Sequence, residues 1–251
     1  VRTTFGGLMI IWFNFLMWAG HLYVGFFVIF IQSLIFGELV SVRYQSYSHL
    51  RATKSLLAIP FFRTLQWCWF GSAAFYIYGD WLHEFCREHR SMHIFLPLLT
   101  YQNIVSLWAY ISTFVLTVLT MKPGCYRFQM GQLSWTVWSI VLILGQMRFV
   151  HHNIANGLFW FFFPVSLVIT NDIFAYFCGL LLGKRIINRK FLSLSPNKTW
   201  EGYLGSLVCT LIFSYQMSAF VARYSWFTCP ADRLEFYLHP QLSCAPDPTF
   251  E

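Results

Sequence analysis

Long hydrophobic runs dominate the sequence, and short polar segments separate them. A helix needs about 20 predominantly apolar residues to cross the hydrocarbon core of a bilayer. The runs predict about seven transmembrane helices, at residues 4–18, 22–40, 63–78, 94–121, 133–147, 153–182 and 203–221. We therefore expect an all-α, polytopic membrane protein whose residues 1–251 form a single integral membrane domain.

Local signals predict how these runs are divided. Gly20 and His21 interrupt the first run, which indicates a tight hairpin between two helices. The mixed charges of residues 80–93 favour a short helix at the membrane interface. The run at 153–182 is long for one span, so we expect a bend at Pro164 or a break near Asn171.

The composition supports a membrane environment. Of the 251 residues, 57% are hydrophobic, 21% aromatic and only 11% charged, against about 25% charged in soluble domains. This excludes a disordered chain, a nucleic-acid-binding domain and an ordinary cytosolic enzyme. The net charge of +7 suits an anionic membrane surface or an anionic substrate.

The basic residues predict the orientation. With alternating spans, twelve of the 17 lysine and arginine residues fall on one face, which the positive-inside rule makes cytoplasmic. The polar tail at 222–251 then lies on the opposite side. In an oxidising lumen its Cys229 and Cys244 could pair, or they could remain two free thiols.

Asp172 is an acidic residue inside an otherwise apolar stretch. Burying a carboxylate at such depth costs about 2.5–3.5 kcal/mol on insertion scales. Tyr176, four residues on, shares its helical face, and Asn171 is adjacent. Gly179 and Gly183 would let another helix or a ligand approach the backbone closely. The pattern indicates a metal or polar-substrate site, or a structural hydrogen bond to a neighbouring helix.

The segment 184–202 holds the second cluster. Five basic residues occur within fifteen positions, and a loop that grips anionic lipid headgroups would explain most of them. Ser195 followed by Pro196 favours a helix start. Lys198 would then lie in the first turn, where the helix dipole disfavours a cation unless an anion is bound. This predicts a phosphate site at the helix N-terminus, with Mg²⁺ as the cation that would bridge it to Asp172.

These two clusters carry a family resemblance. The residues concerned are Asn171, Asp172, Tyr176, Gly179, Gly183 and the run Ser195-Pro196-Asn197-Lys198-Thr199-Trp200-Glu201-Gly202. The pattern resembles phosphatidate cytidylyltransferase, also called CDP-diacylglycerol synthase. A weaker resemblance to the eukaryotic type extends through residues 60–65, 127–129 and 157–160.

The resemblance implies a reaction in which CTP and phosphatidate give CDP-diacylglycerol and pyrophosphate. It also implies dependence on Mg²⁺, residence in the endoplasmic reticulum membrane with the basic loops cytoplasmic, and a homodimer. In this reading residues 1–150 are N-terminal helices, residues 151–221 carry the nucleotide and phosphate site, and residues 222–251 form the lumenal tail.

The resemblance assigns roles to individual residues. Asp172 and Lys198 are the candidate catalytic residues, and Asp172 is also the candidate metal ligand. The candidate substrate-binding residues are Asn171, Tyr176, Arg185, Lys190, Ser195, Pro196, Asn197, Thr199, Glu201 and Gly202. The family's longest signature, which carries its principal aspartates, has no match here, so we expect the main metal carboxylates beyond Glu251.

Two other functions fit part of the pattern. A CTP-dependent polyprenol or phytol kinase would transfer the terminal phosphate of CTP instead. A transporter or lipid-binding scaffold would use the basic residues without chemistry. The run from Ser195 to Gly202 favours the cytidylyltransferase over both.

Overall fold

Helices make up all the regular structure in the described part of the chain. The computed structural model describes residues 2–54, 59–183, 199–230, 244 and 248–250. Its α-helices are α1 (Arg2–Ala19), α2 (His21–Lys54), α3 (Phe62–Glu88), α4 (Leu96–Thr100), α5 (Gln102–Leu119), α6 (Tyr126–Leu144), α7 (Met147–Ala155), α8 (Phe159–Leu182), α9 (Trp200–Val221) and α10 (Ser225–Thr228). Short 3₁₀ turns cover Arg90–Phe95 and Pro248–Phe250.

Five helical stretches of the described residues are long and apolar enough to cross a membrane. They are His21–His49, Gln102–Leu119, Tyr126–Ala155, Phe159–Leu182 and Trp200–Val221. The apolar part of α1, Gly6–Ala19, is shorter, and α3 is not among the five. The all-helical prediction is therefore confirmed for the described residues, with five candidate spans.

The predicted interruption of the first run is present, and the tight hairpin expected at this position stays a prediction. Gly20 separates α1 from α2 and has a φ of 119°, a backbone conformation that glycine adopts without a steric penalty. The end of the second predicted span is misplaced, because α2 continues past Val40 to Lys54. Residues 41–54 contain neither glycine nor proline, so the loss of hydrophobicity there does not break the helix.

The interfacial helix expected at residues 80–93 does not occur as a separate element. Instead α3 runs through Asp80 to Glu88. Asp80 accepts a hydrogen bond from Gln102 and lies 3.5 Å from Arg148, so its charge has partners without a helix break. The span expected at 94–121 is divided, since α4 begins at Leu96 and ends at Thr100, and α5 begins after Tyr101.

The break expected near Asn171 is absent, because helix α8 is continuous through that residue. The bend expected at Pro164, which lies inside the helix, stays a prediction. The chain turns instead at Gly157, whose φ is 137°. A Cβ atom at this position would lie 3.0 Å from the carbonyl oxygen of Phe227. A turn that needs both positive φ and this close approach requires glycine.

The described chain divides into two compact units. One unit comprises the described residues of Val1–His21 and those from Asn153 onwards, and the other comprises those of Leu22–His152. The predicted segmentation into residues 1–150, 151–221 and 222–251 stays a prediction. The prediction that the whole chain is one membrane domain stays a prediction.

Aromatic and backbone contacts hold the first unit together. The rings of Phe13 in α1 and Phe162 in α8 stack with centroids 5.9 Å apart. The indole N–H of Trp226 in α10 donates to the carbonyl of Met17 at 3.0 Å. The N-terminal helix therefore belongs to the same packed unit as α8 and α10.

A disulfide joins Cys229 to Cys244 in this unit, with the two Cα atoms 5.7 Å apart. Of the two outcomes that the sequence left open, the paired one is observed. Phe250 packs edge-on against Phe159 at the start of α8, with centroids 4.9 Å apart. The disulfide closes a chain segment of 15 residues beside this contact.

The second unit is built on α2, α3 and α6. Its core is a cluster of buried side chains comprising Phe36, Val40, Phe70, Tyr78 and Leu144. Polar side chains are also buried here: Tyr78 donates to Gln32, and Gln32 donates to the carbonyl of Ile143 at 3.2 Å. Such satisfied polar contacts join helices where water is excluded.

Candidate functional site

Helices α8 and α9 pack against each other through small residues. A Cβ atom added to Gly202 would lie 3.0 Å from the carbonyl oxygen of Ala175 and 3.1 Å from the Cα atom of Gly179. A Cβ atom added to Gly205 would lie 2.7 Å from the sulfur of Cys178. The two backbones approach so closely that these α9 positions have no room for a side chain.

The close approach predicted for Gly179 is confirmed, and its partner is α9. Small residues meet small residues along both helices, as is usual for helices packed in lipid. Sequence reasoning did not identify the α9 side of this contact. The small-xxx-small spacing of Gly202 and Ser206 could have indicated this face of α9. Ser206 is buried in the structure.

Thr199 caps the N-terminus of α9. Its backbone is extended, and its hydroxyl oxygen accepts the N–H of Gly202 at 3.2 Å. The helix start predicted at Ser195, with Lys198 in its first turn, lies outside the described residues. The Ser-Pro pair is a strong local signal, but the described helix begins only at Trp200.

The cap also contacts the end of α8. A Cβ atom at Gly183 would lie 3.2 Å from the methyl carbon of Thr199, and one at Gly179 would lie 3.5 Å from its hydroxyl oxygen. The start of α9 is thus held against the last turns of α8. The position of Thr199 is therefore fixed relative to the end of α8.

Glu201 lies in the first turn of α9 and is buried, with 6% of its surface exposed. The positive end of a helix dipole stabilises a carboxylate in this position. The first turn therefore contains an acid, where the sequence prediction had placed the cation of Lys198. This acid complements the helix dipole without any bound anion.

Asn171, Asp172 and Tyr176 are exposed on α8, and Tyr176 is 63% exposed. Asp172 and Tyr176 lie on one helical stripe with Gly179, as predicted from their spacing. Along the helix axis, Asp172 is about 10 Å from Gly179 at 1.5 Å per residue. None of the hydrogen bonds and ion pairs found among the described residues involves the Asp172 carboxylate, so the structural hydrogen-bond reading gains no support there.

Six predicted site residues lie outside the described residues. They are Arg185, Lys190, Ser195, Pro196, Asn197 and Lys198. Of the predicted residues that are described, the structure brings Thr199 and Gly202 together with the glycines of α8. It leaves Asn171, Asp172 and Tyr176 exposed on the same helix.

The described residues do not by themselves form a Mg²⁺ site. Between residues 2 and 250, wherever the structure describes the chain, no three His, Cys, Asp or Glu side chains gather into a metal-binding group. Mg²⁺ takes one or two carboxylates together with substrate phosphates, and Asp172 offers a single exposed carboxylate.

The candidate spans and the α8–α9 pair define the chain as part of a multi-pass helical membrane protein. Residues 1–236 match the cytidylyltransferase family, and the chain belongs to this family.

Several curated proteins are similar to the whole chain. It is 37% identical over 250 residues to a probable phosphatidate cytidylyltransferase of Dictyostelium discoideum, covering 100% of this chain and 50% of that protein. It is 32% identical to phosphatidate cytidylyltransferase 1 of Arabidopsis thaliana, covering 100% of this chain and 58% of that protein. The phosphatidate cytidylyltransferase of Saccharomyces cerevisiae is 30% identical, with 100% and 52% covered.

The chain thus spans about half the length of the curated relatives it matches. No solved structure matches it.

Proposed function

We propose that this chain is part of a phosphatidate cytidylyltransferase, which converts CTP and phosphatidate into CDP-diacylglycerol and pyrophosphate. The observation that carries the proposal is the 37% identity to the Dictyostelium protein over the full chain. It is supported by family membership over residues 1–236, a stretch that includes α8, α9 and the run from Ser195 to Gly202.

The reaction depends on the positions of the two substrates more than on a covalent intermediate with the protein. An oxygen of the phosphatidate phosphate attacks the α-phosphate of CTP, and pyrophosphate leaves. Both reactants are anions, so cations and fixed N–H donors must offset their repulsion and hold them in line. A divalent cation, when bound, would supply further charge, and Asp172 is the candidate ligand for it in this chain.

Different residues of this chain would bind the two reactants and position them. Lys198, with Ser195 and the amides that follow it, would hold a phosphate of CTP. Thr199 and Glu201 would fix the start of α9, and Gly202 would hold it against α8. The phosphate-binding run that precedes α9 would then be held in one position. Arg185 and Lys190 would bind the lipid phosphate, and Asn171 and Tyr176 would line the polar surface beside Asp172.

The proposal also covers the membrane in which the protein resides, its oligomeric state and its topology. We propose residence in the endoplasmic reticulum membrane, a homodimer, and seven spans in this chain, with α1 and α3 crossing in addition to the five candidate spans. The basic segment 184–198 would then face the cytoplasm, where CTP is available. The two units would belong to one membrane domain.

Labelled CTP tests the reaction. The full-length protein, incubated with phosphatidate and CTP labelled in the cytidine ring, should transfer the ring label into lipid. Transfer of only the γ-phosphate would identify a lipid kinase and contradict the proposal. Lys198→Ala should lower turnover by at least 100-fold, since it removes a cation that offsets transition-state charge, whereas Lys122→Ala should leave turnover unchanged.

Cysteine labelling tests the topology. A cysteine introduced at Asn197 should react with an impermeant maleimide in sealed microsomes, because the segment is expected on the cytoplasmic face. A cysteine introduced at Ser91 should react only after permeabilisation. The reverse pattern would show that the orientation is wrong, and the same labelling at both positions would show that the number of spans between them is wrong.

A further inference from the structure

Two cysteines meet where α8 packs on α9, and the proposed reaction gives neither of them a role. Cys178 belongs to α8 and Cys209 to α9. Both are free thiols, whereas Cys229 and Cys244 of the same unit form a disulfide. The thiols of Cys178 and Cys209 are hydrogen-bonded to each other. The two sulfur atoms are therefore in contact across the helix pair without a covalent bond.

The antiparallel arrangement of α8 and α9 turns these two side chains toward each other. Gly183 at the end of α8 approaches Thr199 at the start of α9. Cys178, earlier in α8, approaches Gly205, later in α9. The Cα–Cβ bond of a helical residue tilts toward the N-terminus of its own helix. Cys178 therefore leans toward the level of Cys209, and Cys209 leans back toward Cys178.

The glycine at position 205 makes room for the thiol of Cys178. A Cβ atom added to Gly205 would lie 2.7 Å from the sulfur and 2.8 Å from the Cβ atom of Cys178. Cys209 follows Gly205 by one helical turn on the same face of α9. A disulfide needs its two Cα atoms about 4.4–6.8 Å apart, while helix axes usually lie about 8–10 Å apart. Close packing at a glycine brings helical cysteines toward the shorter range.

Both thiols lie inside the apolar part of the chain. Cys178 is in the candidate span Phe159–Leu182 and Cys209 in the candidate span Trp200–Val221, and both are partly exposed. Cys209 is about 14 Å along the helix axis from the start of its span, at 1.5 Å per residue. A reagent dissolved in the hydrocarbon reaches this depth, whereas a polar solute such as glutathione is excluded from it.

We propose that Cys178 and Cys209 form an oxidation site, at which an organic hydroperoxide dissolved in the membrane generates a disulfide between α8 and α9. First, one thiol sulfur attacks the terminal oxygen of the hydroperoxide and the O–O bond breaks. The products are a sulfenic acid and an alcohol, and the alcohol takes up the thiol proton. The second thiol then attacks the sulfenic sulfur, the S–O bond breaks, and the hydroxyl group leaves with the second proton as water. The two thiols lose two electrons, which reduce the hydroperoxide to the alcohol.

The contact between the thiols favours the disulfide over further oxidation. A sulfenic acid condenses with a neighbouring thiol, whereas one without such a neighbour can proceed to sulfinic acid. A disulfide is also uncharged, so it has no charge to desolvate in the hydrocarbon. The bond would close a ring from Cys178 to Cys209 that contains the run from Ser195 to Gly202. This inference does not rest on the proposed reaction.

Trypsin separates the two cysteines, so the product can be identified by mass spectrometry. Cleavage after lysine and arginine gives the peptides 149–184 and 199–223, each with one cysteine. The full-length protein in phospholipid vesicles is treated with cumene hydroperoxide, blocked with iodoacetamide and digested without reductant. We expect these two peptides to be joined, and dithiothreitol to separate them. Hydrogen peroxide at the same concentration should form the joined pair at least tenfold more slowly, because it is a polar solute.

Single substitutions are the controls. Cys178→Ser and Cys209→Ser should each abolish the joined pair, and dimedone should trap a sulfenic acid on the remaining thiol in at least one of them. Cys68→Ser, which removes a free thiol of α3, should form the joined pair as the wild type does. A wild type without joined peptides, at a dose that oxidises the exposed Met130 to its sulfoxide, would overturn the site. Equal rates with the two oxidants would overturn the assignment to a membrane-dissolved hydroperoxide.

Discussion

At the scale of single residues, Thr199 connects the sequence motif to the observed geometry. Its hydroxyl caps α9, and its methyl carbon approaches Gly183 at the end of α8. The sequence predicted that this residue belongs to the site but placed the cap at Ser195. Local rules rank serine above threonine as a cap and favour proline after it. The packing of Thr199 on the α8 glycines is a tertiary contact, which those rules do not contain.

Thr199→Val tests the cap, because valine keeps the shape of the side chain and removes the hydroxyl. The loss of an N-cap costs about 1 kcal/mol, so we expect the apparent melting temperature to fall by about 2–4 °C. Activity of the full-length protein should fall as well. Thr199→Ser retains the acceptor and should restore most of the stability. Equal melting temperatures for the valine variant and the wild type would show that the hydrogen bond contributes nothing.

At the scale of elements, the α8–α9 pair is the best-defined part of the candidate site. Its small residues could be recognised from sequence, since their spacing repeats along both helices. The face of α8 that carries Asp172 and Tyr176 followed from helical periodicity alone. Which helix would meet Gly179 could not be predicted, because periodicity identifies a face and not its partner.

Gly202→Ala tests this packing. The added methyl group would meet backbone atoms of Ala175 and Gly179 at 3.0–3.1 Å, and backbone cannot move aside as a flexible side chain can. Overpacking of this kind costs about 1–3 kcal/mol, so the variant should melt at a lower temperature. Gly71→Ala is the matched control, since a methyl group there meets nothing within 4 Å and alanine favours the helix. A control that is destabilised as much as Gly202→Ala would contradict the packing argument.

At the scale of the whole molecule, the sequence predicted the helical class and most of the helices. It misjudged where they end. Hydrophobicity decides which residues face lipid, whereas helix ends depend on backbone hydrogen bonds and on special φ values. Asn171, where a break was expected, lies inside α8, whereas the chain turns at Gly157, where the carbonyl of Phe227 approaches the backbone. That contact joins residues 70 positions apart, beyond the reach of a local pattern.

The Cys229–Cys244 disulfide is the covalent link at this scale. In the chain-entropy model, removing a disulfide that closes a loop of about 15 residues lowers the free energy of unfolding by about 3 kcal/mol. We expect Cys229→Ser/Cys244→Ser to lower the apparent melting temperature of the full-length protein, and dithiothreitol to lower that of the wild type equally. Cys68→Ser, which removes a free thiol, serves as the control. A wild type in which Cys229 reacts with maleimide without reduction would disprove the link.

The composition of the first unit has a consequence for synthesis. Helix α1 leaves the ribosome before the rest of its unit, whose other described helices begin only after residue 152. At 5–20 residues per second, those partners follow roughly 7–26 s later. The intervening helices belong to the other unit and can fold during this interval. The carbonyl of Met17 therefore lacks its hydrogen-bond donor until Trp226 has been translated. Slowing translation across the middle of the message should lengthen the time that α1 remains accessible to chaperones.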